Sequence, residues 1–277
     1  MALIILSTNA ALLCNFAKLL DMRIVLDTTI SSNYKSPSQK IRVMTEHWVE
    51  TQVYCPSCGR KMQKYPNNNP VGDFYCPYCS EDYELKSKKG HNLPNKIVNG
   101  AYKTMIKRLK CSHNPNFFFL NYESSNYNII NFIIIPKHFF IPNIIEKRKP
   151  LSRNARRAGW IGCNILLSDI PNSGKIFYIR NRQVEPKEKV LKKWKKTLFL
   201  RETKKNELKG WILDIMNCID VLNKQNFTLS EMYSFEKILA IKHPNNKHIK
   251  DKIRQQLQFL RDKGYIEFLG NGKYKLI

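Results

Sequence analysis

Two runs in the middle of the chain, Phe117–Tyr122 (FFFLNY) and Ile129–Pro136 (IINFIIIP), are apolar at almost every position. A strand with one wet face alternates, so unbroken β-branched and aromatic runs predict strands buried on both faces. Val71–Tyr75 and Tyr83–Lys88 predict two shorter strands around a turn, and Lys175–Arg182 predicts another. Helical spacing takes over where Ile41, Met44, Trp48 and Val49 recur behind a Ser36-Pro37-Ser38 start signal. Asn99–Lys110 and the basic stretch Glu188–Leu200 predict two more helices, and Pro136, Pro142 and Pro150 mark a loop region between them.

Residues 207–277 carry a second pattern. Trp211, Ile215, Ile219 and Leu222 stripe one helix, Thr228 or Ser230 can cap a second, and Ile249, Ile253, Leu257 and Leu260 form the buried face of a third, ended by Gly264. Tyr265–Phe268 and Lys273–Leu276 then flank Gly270-Asn271-Gly272, a hairpin turn signal. Three helices followed by a hairpin is the layout of a winged helix-turn-helix; a small helical protein–protein module shares the pattern, and the basic third helix favours DNA. The charged stretch Arg201–Asn206 (RETKKN) has no apolar anchor and is the expected linker, separating a domain over 22–200 from one over 207–277.

Composition adds a partner to this picture. Hydrophobic residues make up 43% of the 277 residues, enough for a real core, so a disordered chain is excluded. Lys and Arg number 47 against 22 Asp and Glu, a net charge of +25. Such a field suits a polyanion first and an anionic membrane surface second. Residues 1–205 hold 35 of the basic and 14 of the acidic side chains, so most of the phosphate attraction is expected in the larger part. No segment reaches the ~20 apolar residues of a membrane-spanning helix. Met1–Ala17 is uncharged, but no Lys or Arg precedes its apolar run and no small-x-small cleavage site follows. Residues 1–21 are therefore expected to be an extension outside the fold, with Met22 as the start of a cytoplasmic protein.

The cysteines point to a metal. Cys55-Pro-Ser-Cys58 and Cys76-Pro-Tyr-Cys79 are separated by 17 residues, while Cys14, Cys111, Cys163 and Cys218 are scattered singles. A two-residue gap lets both thiolates of a pair reach one ion, and two such pairs close a tetrahedral Zn2+ site with no position left for water. The zinc is expected to be structural and to contribute on the order of 10 kcal/mol to folding of the local loop.

The second cysteine pair lies between the two short strands, so zinc would clamp the turn of a hairpin. Positions two apart share a strand face, which puts Glu84 and Lys86 together and turns Leu85 to the core. Asp73, on the paired strand, can face them. Two carboxylates meeting across a hairpin can hold a hard divalent cation, which activates a water and offsets charge on a phosphodiester. Lys86 can orient the water or stabilise developing negative charge. The plain alternative is a surface hairpin with a solvated Glu84–Lys86 pair.

Asp73 followed by Glu84-Leu85-Lys86, with C-x2-C pairs on either side of Asp73 and a C-terminal winged helix, resembles the DpnI-like methyl-directed type II restriction endonucleases. The resemblance runs from Met22 onward and includes Tyr34-Lys35-Ser36, Thr45-Glu46, Asp73–Cys76, Glu84–Gly90, Asn116–Leu120, Ala155–Asn164 and Ile253–Leu257. It implies an α/β (α+β) PD-(D/E)xK nuclease core. It implies a Mg2+-dependent enzyme of a restriction system, cutting double-stranded GATC that carries N6-methyladenine. Asp73, Glu84 and Lys86 take the catalytic positions, and the Leu85 carbonyl joins Asp73 and Glu84 as a magnesium contact. Residues 1–21 have no counterpart.

Two segments then read as DNA-reading elements. In Ala155–Trp160 (ARRAGW), Arg156 and Arg157 suit phosphate or guanine. Trp160 on its own reads as a core residue; with the resemblance, its apolar face offers a slot for adenine methyl groups. On the third C-terminal helix, Lys250, Arg254, Gln258 and Arg261 share a face, with Gln255 one step round, and Lys273 and Lys275 share a face of the wing. No obligate protein partner is evident. The competing function is a zinc-ribbon winged-helix regulator that binds DNA without cutting it, which has no use for two carboxylates facing a phosphate.

Overall fold

A computed structural model describes residues 22–67, 69–110, 114–203 and 205–277. The expected extension 1–21 with Cys14, the single Cys111, and Lys204 of the expected linker lie outside the described residues.

In chain order the larger domain runs α1 (Pro37–Gln52), β1 (Gln63–Lys64), β2 (Phe74–Tyr75), β3 (Asp82–Lys89), β4 (Lys96–Ala101), α2 (Tyr102–Lys110), β5 (Asn116–Tyr122), β6 (Ile129–Ile135), β7 (Ile145–Lys147), β8 (Gly162–Leu166), β9 (Ile176–Arg180), β10 (Gln183–Val184), α3 (Lys187–Lys196) and α4 (Phe199–Glu202). One sheet has the order β1-β2-β3-β5-β6-β9-β10. Its pairings are antiparallel except that of β3 with β5, which are parallel. A parallel pair needs a crossover, and β4 with α2 supplies it.

The unbroken apolar runs are β5 and β6, at the middle of that sheet. Phe118, Leu120, Phe132 and Ile134 face one core with Met44, Trp48 and Val49 of α1, where Trp48 meets Phe132 edge-on at 5.0 Å. Phe117, Phe119, Ile133 and Ile135 face a second core on the other side. Both faces are covered, so neither strand has polar alternation to spare. On α1, Pro37 occupies the first turn, where its missing N–H costs nothing, behind an extended Ser36.

In the larger domain several sequence expectations change. The helix expected over Asn99–Lys110 begins at Tyr102, because Asn99 and Ala101 end β4 and pair with Cys163 and Gly162 of β8. Pairing here overrides a locally helical pattern. The basic helix expected over Glu188–Leu200 is broken into α3 and α4 at Thr197-Leu198. The Thr197 hydroxyl bonds back to Trp194 O at 2.8 Å and meets His138 Nε2 at 2.8 Å, which fixes the break. The Pro-marked loop region contains β7, which joins β4 and β8 in a three-stranded sheet of order β4-β8-β7.

The C-terminal domain runs α5 (Asn206–Leu222), β11 (Asn226–Thr228), α6 (Leu229–Tyr233), α7 (Glu236–Lys242), α8 (Ile249–Asp262), β12 (Ile266–Gly270) and β13 (Lys273–Leu276). The expected second helix is split into α6 and α7. Thr228 is its cap: its hydroxyl accepts from Glu231 N–H, and the Glu231 carboxylate accepts from Thr228 N–H, a complete capping box. The turn between β12 and β13 uses Gly270, Asn271 and Gly272, all at positive φ.

The two domains touch. Asp220 Oδ2 accepts from Asn172 N–H at 2.6 Å, Asn217 donates to Asp169 O at 2.8 Å, and Lys263 pairs with Glu202 at 2.6 Å. Phe199 lies against Phe259 and Tyr265, and the second core continues through Leu200 into Trp211, Ile212 and Ile215. The linker is shorter than expected, since α4 holds Arg201 and Glu202. Among the described residues no helix is long and apolar enough to cross a membrane.

Candidate active site and cysteine cluster

The two cysteine pairs fold as matching turns. Gly59 N–H donates to Cys55 O and Cys55 N–H to Arg60 O, each at 2.8 Å. Ser80 N–H donates to Cys76 O and Cys76 N–H to Glu81 O, each at 2.9 Å. Gly59 and Ser80 take left-handed φ of 75° and 54°, which lets each turn close. The four sulfurs all lie within 4.8 Å of one another. A tetrahedron of ~2.3 Å Zn–S bonds has edges of about 3.8 Å, so the cluster is compatible with a structural zinc. Burial pushes the Cys79 thiol up to about 11, and Cys55 also lies well above its ordinary value, mainly through burial. A bound cation is what would offset the cost of holding these sulfurs as thiolates. Arg60 of the first turn stacks over Tyr78 of the second at 4.5 Å.

The second turn delivers the chain into β3. Asp73, just before β2, donates its N–H to Tyr83 O at 2.8 Å. A Cβ on the preceding Gly72 would fall 2.7 Å from that same carbonyl, so the close approach of the two strands requires glycine there. The Asp73 carboxylate reaches back across the hairpin, where Oδ2 accepts from Leu85 N–H at 2.7 Å. Glu84 Oε1 pairs with Lys86 Nζ at 2.7 Å. The structure thus brings Asp73, Glu84, Leu85 and Lys86 into one hairpin, with Leu85 packed against the α1-side core.

Burial raises the Asp73 carboxyl above its ordinary value, and the Glu84 and Glu46 carboxylates raise it further; the Leu85 amide and Lys86 oppose them. A carboxyl in that setting has more to gain from a cation than a solvated one. Two further residues stand near these carboxylates; the sequence assigns a site role to neither, although Thr45-Glu46 belongs to the resemblance. Arg108 of α2 donates to Glu84 Oε2 at 3.1 Å and to Val71 O at 2.8 Å. Glu46 of α1 is buried and pairs with Arg42 at 2.6 Å and Lys64 at 2.8 Å. Arg108 looks like one more solvated cation on a basic helix. Glu46, at a core-facing position four residues after Arg42, was the legible signal.

The expected DNA-reading residues occupy two separate regions. Arg156 and Arg157 are exposed and Trp160 half-buried on the loop between β7 and β8. This loop enters β8, where burial first, and then the Glu84 carboxylate, pushes the Cys163 thiol up to about 11. On α8, Lys250, Arg254, Gln255, Gln258 and Arg261 are exposed around the buried Ile253, Leu257 and Leu260. Lys250 and Arg254 lie over the Tyr233 ring at 5.5 and 5.6 Å, Gln255 accepts from Lys252, and Arg261 pairs with Asp262. Exposed pairs of this kind are worth ~0–1 kcal/mol, so these side chains are available to a stronger partner. Lys273 and Lys275 flank the buried Tyr274 on the wing.

Comparison with known families matches residues 22–203 to the family described as DpnI, Dam-replacing, and residues 207–276 to the Dam-replacing helix-turn-helix domain.

Proposed function

The chain belongs to the Dam-replacing DpnI family, and from that premise we propose that it is a Mg2+-dependent, methylation-dependent type II restriction endonuclease with a PD-(D/E)xK core. Its substrate in this reading is double-stranded DNA at GATC carrying N6-methyladenine. The observation that carries the reading is the hairpin itself: Asp73 Oδ2 bonded to Leu85 N–H at 2.7 Å, beside Glu84 held by Lys86 at 2.7 Å. A regulator that only binds DNA leaves this arrangement without a task.

The oxygen donors fit a hard cation: Asp73, Glu84 and the Leu85 carbonyl would hold Mg2+. When bound, it supplies a polarised water and offsets charge on the phosphodiester. Asp73 commits one oxygen to the Leu85 amide and offers the other. Lys86 and Arg108 bring positive charge to the Glu84 carboxylate, where an attacking water and a scissile phosphate would both need it. Zn2+ held by the cysteine cluster would fix the turn from which β3 departs.

Reading is assigned to both domains. Arg156 and Arg157 approach phosphate or guanine, and Trp160 offers an apolar surface to the adenine methyls. On α8, Gln255 or Gln258 can bond adenine N7 and the remaining N6 hydrogen, while Lys250, Arg254, Arg261, Lys273 and Lys275 take phosphates. Burying one methyl contributes roughly 0.8 kcal/mol, so strong preference requires methyls on both strands or two readings in series. The test is digestion of one plasmid prepared with and without adenine methylation at GATC, with and without Mg2+. Cutting of the methylated plasmid alone, lost without Mg2+, is expected. Equal cutting of both would end methyl-directed recognition, and binding without cutting would favour the regulator.

A further inference from the structure

Trp160 sits in a setting that decides which part of its ring is open. Its backbone N–H donates to Arg157 O and its backbone carbonyl accepts from Leu151 N–H, both at 3.0 Å. The far edge of the indole is lodged against β8. A Cβ built on Gly162 falls 2.8 Å from both Cζ3 and Cη2 of Trp160, and its next nearest neighbour is Arg148 Cδ at 3.5 Å. Two adjacent edge atoms at one short distance, with no other ring atom inside 3.5 Å, describe an edge-on approach. A ring lying flat on the strand would bring more of its atoms equally near. Over one face of the same ring lies the Arg157 guanidinium, 4.7 Å from the centroid. The outer edge of the indole is thus placed over Gly162, one face lies under Arg157, and the residue is half-buried.

We propose that Gly162 is a specificity-determining positioning residue: its missing Cβ forms the notch that seats Trp160 with one indole face free for the methyl groups of the DNA. The inference rests on the reading of Trp160 given above. Backbone conformation is not the reason for glycine here, because Gly162 is a strand residue paired with Ala101 and is not at positive φ. Space is the reason. The atoms that a Cβ would meet are the far end of a side chain, so in Gly162→Ala the indole yields and β8 stays. A displaced ring keeps its hydrophobic character but loses its register with the methyls. Preference for methylated DNA should therefore fall while folding and cutting chemistry persist.

The experiment is a double-mutant cycle read as the ratio of cleavage rates on methylated and unmethylated plasmid, with zinc content and thermal midpoint measured on each protein. The proteins are the full-length chain, Trp160→Phe, Gly162→Ala and the double variant. Phe lacks the outer ring edge, so the added methyl meets no clash. Gly162→Ala alone is expected to lower the ratio about tenfold, the scale of one apolar misfit in a recognition pocket. In the Trp160→Phe background it is expected to change nothing. If Trp160→Phe leaves the ratio intact, the reading of Trp160 fails and the inference falls with it. If Trp160→Phe lowers the ratio and Gly162→Ala does not, the reading stands and the notch is rejected. An equal effect of Gly162→Ala in both backgrounds also rejects it. Should Gly162→Ala alone fail to fold, recovery in the double variant supports the contact and failure of both overturns it.

Discussion

The Tyr83 hydroxyl lies 3.0 Å from Cys55 Sγ, and the carbonyl of the same Tyr83 accepts the Asp73 amide at 2.8 Å. One fully buried residue thus touches the cysteine cluster with its side chain and the candidate catalytic hairpin with its backbone. Its ring is stacked on Phe118 at 4.9 Å, so the phenol has little freedom to turn away. If zinc occupies the cluster, the Cys55 thiolate accepts and Tyr83 donates, and groups in that relation commonly govern metal affinity by ~10–100-fold. Tyr83→Phe keeps the ring and removes the donor. The expected outcome is about one zinc per chain as in the parent, released to a chelator roughly tenfold faster. Unchanged release would show that the hydroxyl does not support the metal.

Asp73 carries a pH consequence. Burial and the neighbouring Glu84 and Glu46 raise its carboxyl above the ordinary value in the folded chain. A folded-state pKa above the unfolded one means the folded state binds the proton more tightly, so ionised Asp73 lowers stability as pH rises through that value. Asp73→Asn is neutral at every pH. It should melt higher than the parent at neutral pH, and the gap should close as pH falls below the range in which Asp73 titrates. Cleavage should be absent in the variant while specific DNA binding persists, measured by gel shift. A variant that melts lower at neutral pH, or cuts at the parent rate, refutes the assignment.

Much of this site was legible in the sequence because its chemistry is local. Both cysteine pairs, Asp73, Glu84 and Lys86 lie within one short stretch, where the two-residue period of a strand and the gap of each pair limit the possible geometry. Phe117–Tyr122 and Ile129–Pro136 were legible as doubly buried strands for the same reason. β4, β7 and β8 were not, because a strand such as Lys96–Ala101 acquires its identity from partners 50 or more residues away. Arg108 was not legible because it acts through a long-range ion pair with Glu84 that no spacing rule announces, whereas Glu46 carries a local signal in its four-residue spacing from Arg42. The packing of the two domains was not legible either: Phe199, Leu200 and Trp211 show that deleting residues 207–277 would expose apolar surface.

Arg108 places a cation against Glu84 at 3.1 Å, on the carboxylate oxygen that Lys86 does not occupy. A divalent ion arriving at Glu84 meets this charge and must share or displace it. Arg108→Ala is therefore expected to lower the Mg2+ concentration for half-maximal cleavage several-fold, since one unit charge at close range is worth about 1 kcal/mol or more at a partly solvated site. The maximal rate should fall as well if the guanidinium also serves the phosphate. A rise in the required Mg2+ would mean that Arg108 instead holds Glu84 in its binding pose.

The start of the described chain is already tied into the sheet. Ile129 N–H donates to Ile24 O at 2.6 Å, Leu26 N–H to Tyr127 O at 3.1 Å, and the Met22 side chain is buried. A protein begun at Met22 should keep the zinc content, the thermal midpoint and the cleavage rate of the full chain. Loss of folding on removal of residues 1–21 would place them within the functional unit.

The wing and α8 should differ in how they fail. Lys273 and Lys275 stand on either side of the buried Tyr274, and Lys275 is only loosely paired with Glu267 at 3.9 Å, so both ammonium groups are free to take phosphates. A phosphate contact releases counterions and carries no sequence information. Lys273→Ala should thus weaken binding to methylated and unmethylated sites alike and reduce the slope of log affinity against log salt by about 1. Gln258, exposed on α8 beside Arg254, faces the other way energetically. Lost base-edge hydrogen bonds cost about 1–3 kcal/mol at one base pair and leave the salt slope unchanged. Fluorescence anisotropy over a salt series separates the two signatures. If Gln258→Ala lowers the salt slope while preserving the preference for GATC, α8 lies along the backbone and sequence is read by the catalytic domain alone.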